Sequence, residues 1–181
     1  MIHYYDPHQI VSINHVFENS TIWELESTMK TNYSEIWKNL LRHSPKLSFY
    51  ETFKEFYEEE KYLDTINNFD QRQHFTKLRI SNHKLAIETR RYSNPKTPRE
   101  QRYCLLCNNN KIETEQLMIF ECPTYSNLRK DQQSYLKDKF HFSVISNITS
   151  LMKSKDDEVI FYLSKFIWKC FLLRKEKLSD G

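Results

Sequence analysis

Glycine is almost absent from this chain of 181 residues, because its single glycine is the last residue, Gly181. Phosphate-binding loops, dinucleotide-binding fingerprints and the nucleophile elbow of hydrolases all require glycines at fixed positions, so none of them can be built here. The Asn-Gly and Asp-Gly turns of tight β-hairpins are missing as well. A chain without these turns that is rich in Lys, Glu, Leu and Ile favours helices, and the sequence therefore predicts a mostly α-helical fold.

Long apolar runs are also lacking. No stretch approaches the ~20 apolar residues that a membrane-spanning helix needs, and the first residues, MIHYYDPHQI, lack the basic patch and apolar run of a secretory signal. Four cysteines, three of them clustered, are not typical of a secreted disulfide scaffold. These features predict an intracellular protein, nuclear or cytoplasmic, with no membrane partner.

Apolar residues recur at helical spacing through most of the chain. With 39% hydrophobic and 14% aromatic residues, the chain can bury a core. The spacing predicts helices within 22–41, 47–57, 112–121 and 124–138, another that Asp70 caps, and a final helix with an apolar stripe from Ile160 to Phe171.

We therefore predict a helical arm or linker over residues 1–44 and an irregular multi-helix domain over 45–178. The domain contains a basic segment (71–103) and a small cysteine knuckle with a C-x-x-C turn (104–122). The sequence leaves the oligomeric state open.

Catalytic motifs are not evident. The one Asp-Asp pair, Asp156-Asp157, stands at the start of a predicted helix, where capping explains it better than the two-metal site of a polymerase. The acidic residues between Glu51 and Asp64 are interpreted as one solvated helix face. The sequence thus predicts no enzymatic activity and indicates no small-molecule substrate.

Positive charge is concentrated in one segment. The whole chain carries a net charge of +3, whereas residues 71–103 hold nine basic and two acidic residues. Such a segment is typical of a surface that contacts RNA or DNA, and Tyr92 and Tyr103 are candidates for stacking on unpaired bases. The alternative is an ordinary surface whose arginines pair with Glu58 to Glu60. The candidate nucleic-acid contacts are Arg79, Lys84, Arg90, Arg91, Arg99 and Arg102.

Three of the four cysteines have the spacing of metal ligands. Cys104 and Cys107 form a C-x-x-C pair that can grip one zinc ion, and Cys122 would add a third thiolate. The sequence leaves the fourth ligand open: the candidates are Glu113, Glu115, Gln116, Glu121, His74, His83, His141 and water. The alternative is that the three cysteines are small buried apolar residues. Cys170 lies on the apolar stripe of the last helix and is predicted to be core.

Several separate motifs resemble one family. The stretches FTKLRISNHKLAIETRRY, TPREQRYCLLC and IETEQLMIFECPTYSNLR resemble the C-terminal tail of reverse-transcriptase polyproteins from non-LTR, jockey-like retrotransposons. In that family a basic helix with a Ser-x-His motif, matched here by His83, leads to C-x-x-C. A His-x4-Cys motif followed by Pro and Tyr completes a zinc site. The resemblance spans roughly Pro45 to Cys170.

The resemblance implies Cys104, Cys107 and Cys122 as zinc ligands and places Leu117 where the family has its histidine. It therefore implies a degenerate zinc knuckle that has lost its fourth ligand. It also implies a non-catalytic, nucleic-acid-binding tail derived from a mobile element. The alternative is a degenerate helical remnant that acts, if at all, as a protein-interaction module.

Overall fold

The computed structural model describes residues 19–107, 109–136 and 147–179. Helices carry most of these residues and no β-strand is found among them, which confirms the prediction of a mostly α-helical fold. The first 18 residues of the predicted arm, His141 and the last two residues of the helix predicted over 124–138 lie outside the described residues. The chain divides into two units, Met1–Asn39 and Leu40–Gly181.

Helix α1 spans Asn19–Arg42 without interruption. Within the first unit its apolar side chains are largely exposed: Trp23 is 68% exposed and Met29 is 63% exposed. A 3-10 helix, Pro45–Leu47, follows α1, as expected because proline lacks the N–H that a helix interior requires.

The acidic stretch after α1 does not form the long helix that its aromatic spacing predicts. Only α2, Ser48–Glu51, is α-helical, and residues 52–60 run without an α-helix until α3, Tyr62–Thr65. Glu60 turns toward the protein and pairs with Lys54 at 3.3 Å and with Arg79 at 2.7 Å. The interpretation of these acids as one helix face was wrong, because no continuous helix spans them, although all of them except Glu60 are exposed to solvent as expected.

The core of the second unit lies between α4 (Phe69–Arg79), α6 (Ser126–Leu136) and α8 (Asp157–Ser179), with α7 (Ile148–Met152) preceding α8. The cap of α4 is Asn68, whose side chain accepts the Gln71 N–H at 3.0 Å, and not Asp70 as predicted. Asp156 accepts the N–H groups of Glu158 and Val159 at 2.9 and 3.2 Å, which confirms its capping role. Fully buried apolar side chains include those of Phe75, Leu78, Leu85, Ile119, Tyr125 and Ile167.

Between α4 and α6 the chain makes short turns that hold the cysteines. They comprise α5 (Ala86–Thr89), the 3-10 helices Arg90–Tyr92, Arg99–Gln101 and Pro123–Tyr125, and a π-helix over Leu117–Glu121. The helix predicted over 112–121 therefore forms only in its second half. Among the described residues, no helix is both long and apolar enough to cross a lipid bilayer.

Candidate metal centre

The C-x-x-C turn is closed by its own backbone. Tyr103 and Ile112 form an isolated antiparallel bridge, and the Cys104 N–H donates to the Lys111 carbonyl at 2.9 Å. The left-handed conformation that glycine usually supplies at such a turn is taken by Asn110, with φ of 47°. Cys104 and Cys107 thus lie within a miniature hairpin that is built without glycine.

Cys122 reaches this turn from a second element. Its N–H donates to the Leu117 carbonyl at 2.7 Å, which closes the π-helix just before Pro123 starts a new 3-10 turn. The Thr124 hydroxyl then donates to the Leu106 carbonyl at 3.1 Å. This bond ties the segment that carries Cys122 to the C-x-x-C turn.

The three sulfurs lie together. All three Sγ atoms are within 4.8 Å of one another, and those of Cys104 and Cys122 are 4.0 Å apart. Cys107 and Cys122 are buried. Cys104 is half-buried when the whole residue is considered, but its sulfur atom is buried like the other two. Tetrahedral zinc with Zn–S bonds of ~2.3 Å separates its sulfurs by about 3.8 Å, so this triad can hold a metal ion after a small contraction. The predicted convergence of the three cysteines is confirmed.

A buried ion pair lies beside the triad. Glu113 is 1% exposed, and its carboxylate pairs with the Arg174 guanidinium of α8, accepts the Ala86 N–H at 2.6 Å and accepts the Cys104 thiol at 3.5 Å. Arg174 also donates to the Lys84 carbonyl at 3.2 Å. A second guanidinium, that of Arg129, donates to the carbonyls of Cys122 and Met118. The triad therefore lies among fixed charges.

Burial raises the pKa of the Cys104 thiol well above its usual value, although the N–H groups of Leu106 and Cys107 hydrogen-bond the sulfur and act in the opposite direction. Burial likewise raises the pKa of Cys170. Without a cation these thiols stay protonated at neutral pH, whereas a bound divalent metal deprotonates a coordinating thiol.

The two candidate histidines that the structure describes, His74 and His83, are engaged elsewhere. The Nε2 atom of His83 contacts Glu115 Oε1 at 2.8 Å, and its Nδ1 atom accepts the Leu85 N–H at 3.4 Å. His74 Nδ1 contacts the Asp70 carbonyl at 2.8 Å. Neither ring joins the sulfur triad. Leu117 is buried in the apolar core, and Cys170 is fully buried on α8 as predicted.

Arg79 does not belong to the predicted nucleic-acid surface. It is 5% exposed, pairs with Glu60, donates to the Met152 carbonyl at 2.8 Å and stacks with its guanidinium carbon 4.5 Å from the Phe53 ring centre. The prediction for this residue was wrong, because aromatic rings and a buried carboxylate draw it into the protein. Here the alternative, pairing with the acidic segment, is what the structure shows.

The other basic candidates differ in how many bonds their side chains make within the protein. Arg102 is half-buried and donates to the carbonyls of Ile87 at 2.8 Å and Thr97 at 3.0 Å, so it holds the 93–98 loop against α5. Arg91 pairs with Glu88 at 3.2 Å.

Of the three remaining candidates, two are exposed and one is half-buried. Lys84 and Arg99 are exposed, and Arg90 is half-buried with one bond, to the Gln101 carbonyl at 3.3 Å. The 3-10 helices Arg90–Tyr92 and Arg99–Gln101 are brought together by that bond. The structure thus gathers part of the basic segment around one loop.

Sequence reasoning missed the contact between Glu113 and Arg174. Glu113 was one of several candidates for the fourth ligand, but no local pattern signals its partner 61 residues away in the chain. One signal could have indicated a buried acid: Arg174 follows Cys170 and Phe171 on the apolar side of the last helix, where a charged residue needs a partner.

No protein-family model, curated protein or solved structure matches this chain. What the chain does is therefore inferred from the cysteine triad and the charged groups around it.

Proposed function

We propose that residues 45–178 form a non-catalytic domain, of the non-LTR retrotransposon type, that binds RNA or DNA next to a structural zinc centre. The observation that carries this proposal is the direct connection between the cysteine turn and the basic loop. The Glu113 N–H donates to the Arg102 carbonyl at 2.9 Å, and the Arg102 side chain in turn holds Ile87 and Thr97. A metal that orders the turn would therefore also order the loop.

The loop presents the groups that phosphate and bases require. Lys96 is exposed within this loop, Arg99 and Tyr92 beside it are exposed (Tyr92 by 69%), and Lys84 is exposed earlier in the basic segment. Cationic side chains neutralise phosphates and release counterions, while an exposed aromatic ring can stack on an unpaired base. This combination favours a nucleic acid with single-stranded character.

Zinc is the metal that best suits the centre. Soft thiolate ligands select zinc, copper(I) or iron–sulfur clusters over magnesium and calcium. A C-x-x-C turn joined by a cysteine from a neighbouring element is typical of structural zinc sites, in which the ion contributes directly to folding.

Nucleic-acid binding is tested by fluorescence anisotropy of the zinc-loaded full chain with short labelled single-stranded RNA and duplex DNA over a series of salt concentrations. The double variant Arg90→Gln, Arg99→Gln removes two cations from the loop. It should flatten the slope of log K against log salt by about 1.4 for single strands or 1.8 for duplex.

The matched control is Lys61→Gln with Lys155→Gln. It removes the same charge from residues that pair with Asp157 and Glu58 elsewhere on the unit, and it should leave the slope unchanged. Binding that does not weaken with salt, or two double variants with equal effects, would overturn the nucleic-acid proposal and favour the protein-interaction alternative.

The zinc centre is tested separately by native mass spectrometry of protein expressed with zinc. One zinc per chain is expected, lost in Cys122→Ser and kept in Cys170→Ser. A wild-type protein found only at the metal-free mass would overturn the zinc part of the proposal, whatever the anisotropy shows.

A further inference from the structure

We infer that the fourth ligand of the metal centre is the Glu113 carboxylate, which makes the site a tetrahedron of three sulfurs and one oxygen. This inference rests on the proposed zinc centre. In it, Glu113 takes the place of the histidine ligand that this chain lacks. It assigns Glu113 a role beyond its ion pair with Arg174.

The distance from the carboxylate to the sulfur fits a shared ion. A tetrahedral zinc with bonds of ~2.3 Å to sulfur and ~2.0 Å to oxygen separates those two atoms by about 3.5 Å. Glu113 Oε1 lies 3.5 Å from Cys104 Sγ. The same tetrahedron separates its sulfurs by about 3.8 Å, and Cys104 and Cys122 are at 4.0 Å.

The carboxylate is also held in the way that metal ligands usually are. Its Oε2 atom accepts the Ala86 N–H at 2.6 Å and the Arg174 Nη2 N–H at 3.0 Å, while Oε1 accepts from Arg174 Nη1 and from the Cys104 thiol at 3.5 Å. Outer hydrogen bonds of this kind orient a ligating carboxylate and tune the site. Glu113 is 1% exposed and lies outside the group of three sulfurs that are within 4.8 Å of one another, so its carboxylate would turn toward Cys107 and Cys122 when the ion binds.

Two cations lie close to the proposed ligands. The Arg174 guanidinium pairs with Glu113, and the Arg129 guanidinium donates to the carbonyls of Cys122 and Met118. Positive groups at these positions favour an anionic set of ligands around the ion.

Two other fourth ligands give different coordination. Cys170 is fully buried and lies outside the group of three sulfurs, and it would give four sulfurs. Water would give three sulfurs and one oxygen without any contribution from Glu113. Spectroscopy and substitution together separate these cases.

The test is zinc X-ray absorption on the full-length protein, combined with zinc affinity from chelator competition. Three sulfurs at ~2.3 Å and one oxygen at ~2.0 Å are expected. Glu113→Gln should lower zinc affinity by at least about tenfold. The matched control is Glu115→Gln, a buried glutamate two residues further on that contacts His83 instead, and it should retain the wild-type affinity.

Because Glu113→Gln also removes the partner of Arg174, a second variant separates coordination from folding. Glu113→His should regain affinity relative to Glu113→Gln and add imidazole scattering to the spectrum. Four sulfurs in the wild type would overturn the inference in favour of Cys170, and unchanged affinity in Glu113→Gln would overturn it in favour of water. A wild-type chain without zinc would instead refute the zinc centre on which the inference rests.

Discussion

Removing one partner of the ion pair between Glu60 and Arg79 should strongly destabilise the second unit. The Glu60 carboxylate accepts from Arg79 at 2.7 Å and from the Tyr50 hydroxyl at 2.5 Å, and it pairs with Lys54 at 3.3 Å. Arg79 is enclosed by Phe53 and other rings, and burial lowers its pKa while Glu60 opposes that shift. Glu60→Gln would leave a buried guanidinium without its counter-charge.

The expected cost is about 3 kcal/mol. Breaking a buried ion pair by removing one partner costs roughly 3–5 kcal/mol. The lower end applies here because the Glu60 side chain is 18% exposed. For a unit of this size each kcal/mol moves the melting temperature by about 3–4 °C, so Glu60→Gln should melt about 10 °C lower.

The assay is thermal and urea unfolding followed by circular dichroism. Glu59→Gln, at an exposed neighbouring position, is the control and should change stability by less than about 0.5 kcal/mol. The double variant Glu60→Gln, Arg79→Met should recover much of the loss, since no buried charge is left unpaired. A Glu60→Gln protein as stable as the wild type would refute the reasoning that this pair compensates a buried charge.

Three further outcomes are expected. Chelating the zinc should lower the melting temperature, with about 2.7 kcal/mol lost when free zinc had been ~100-fold above its Kd; calorimetry with and without EDTA measures this. Arg102→Met should release the 93–98 loop and speed cleavage after Lys96 by a lysine-specific protease, whereas Arg99→Met should not. Because burial raises the pKa of Cys104 and Cys170, the metal-free folded protein at mildly alkaline pH should react with iodoacetamide far more slowly than the urea-unfolded protein.

Local sequence patterns were sufficient to predict the last helix and the cysteine turn. Apolar spacing and the acidic start at Asp156 and Asp157 predicted a final helix, and α8 spans Asp157–Ser179. The spacing of Cys104, Cys107 and Cys122 was interpreted as that of metal ligands, and their three sulfurs do lie within 4.8 Å of one another.

The secondary structure of residues 47–57 and the burial of Arg79 depend on long-range contacts, which local sequence patterns do not reveal. The segment 47–57 has aromatic residues at helical spacing, yet only Ser48–Glu51 is α-helical. Beyond it, Glu55, Glu58 and Glu60 pair with Lys153, Lys155 and Arg79, which come from later elements. A charge count treats Arg79 and Arg99 alike, although one is buried and the other exposed. The environment of an arginine depends on which rings and acids the fold brings to it, and that information is spread over the whole chain.

The ion pair that anchors Glu113 also sets an order of events during translation. Arg174 follows Glu113 by 61 residues, and at ribosomal speeds of roughly 5–20 residues per second it is made about 3–12 s later. Cys122 is made early in that interval, and from then until Arg174 is made the nascent chain has the three cysteines and the acid without the guanidinium of α8. The charged groups around the cysteine triad are therefore complete only once α8 has been made.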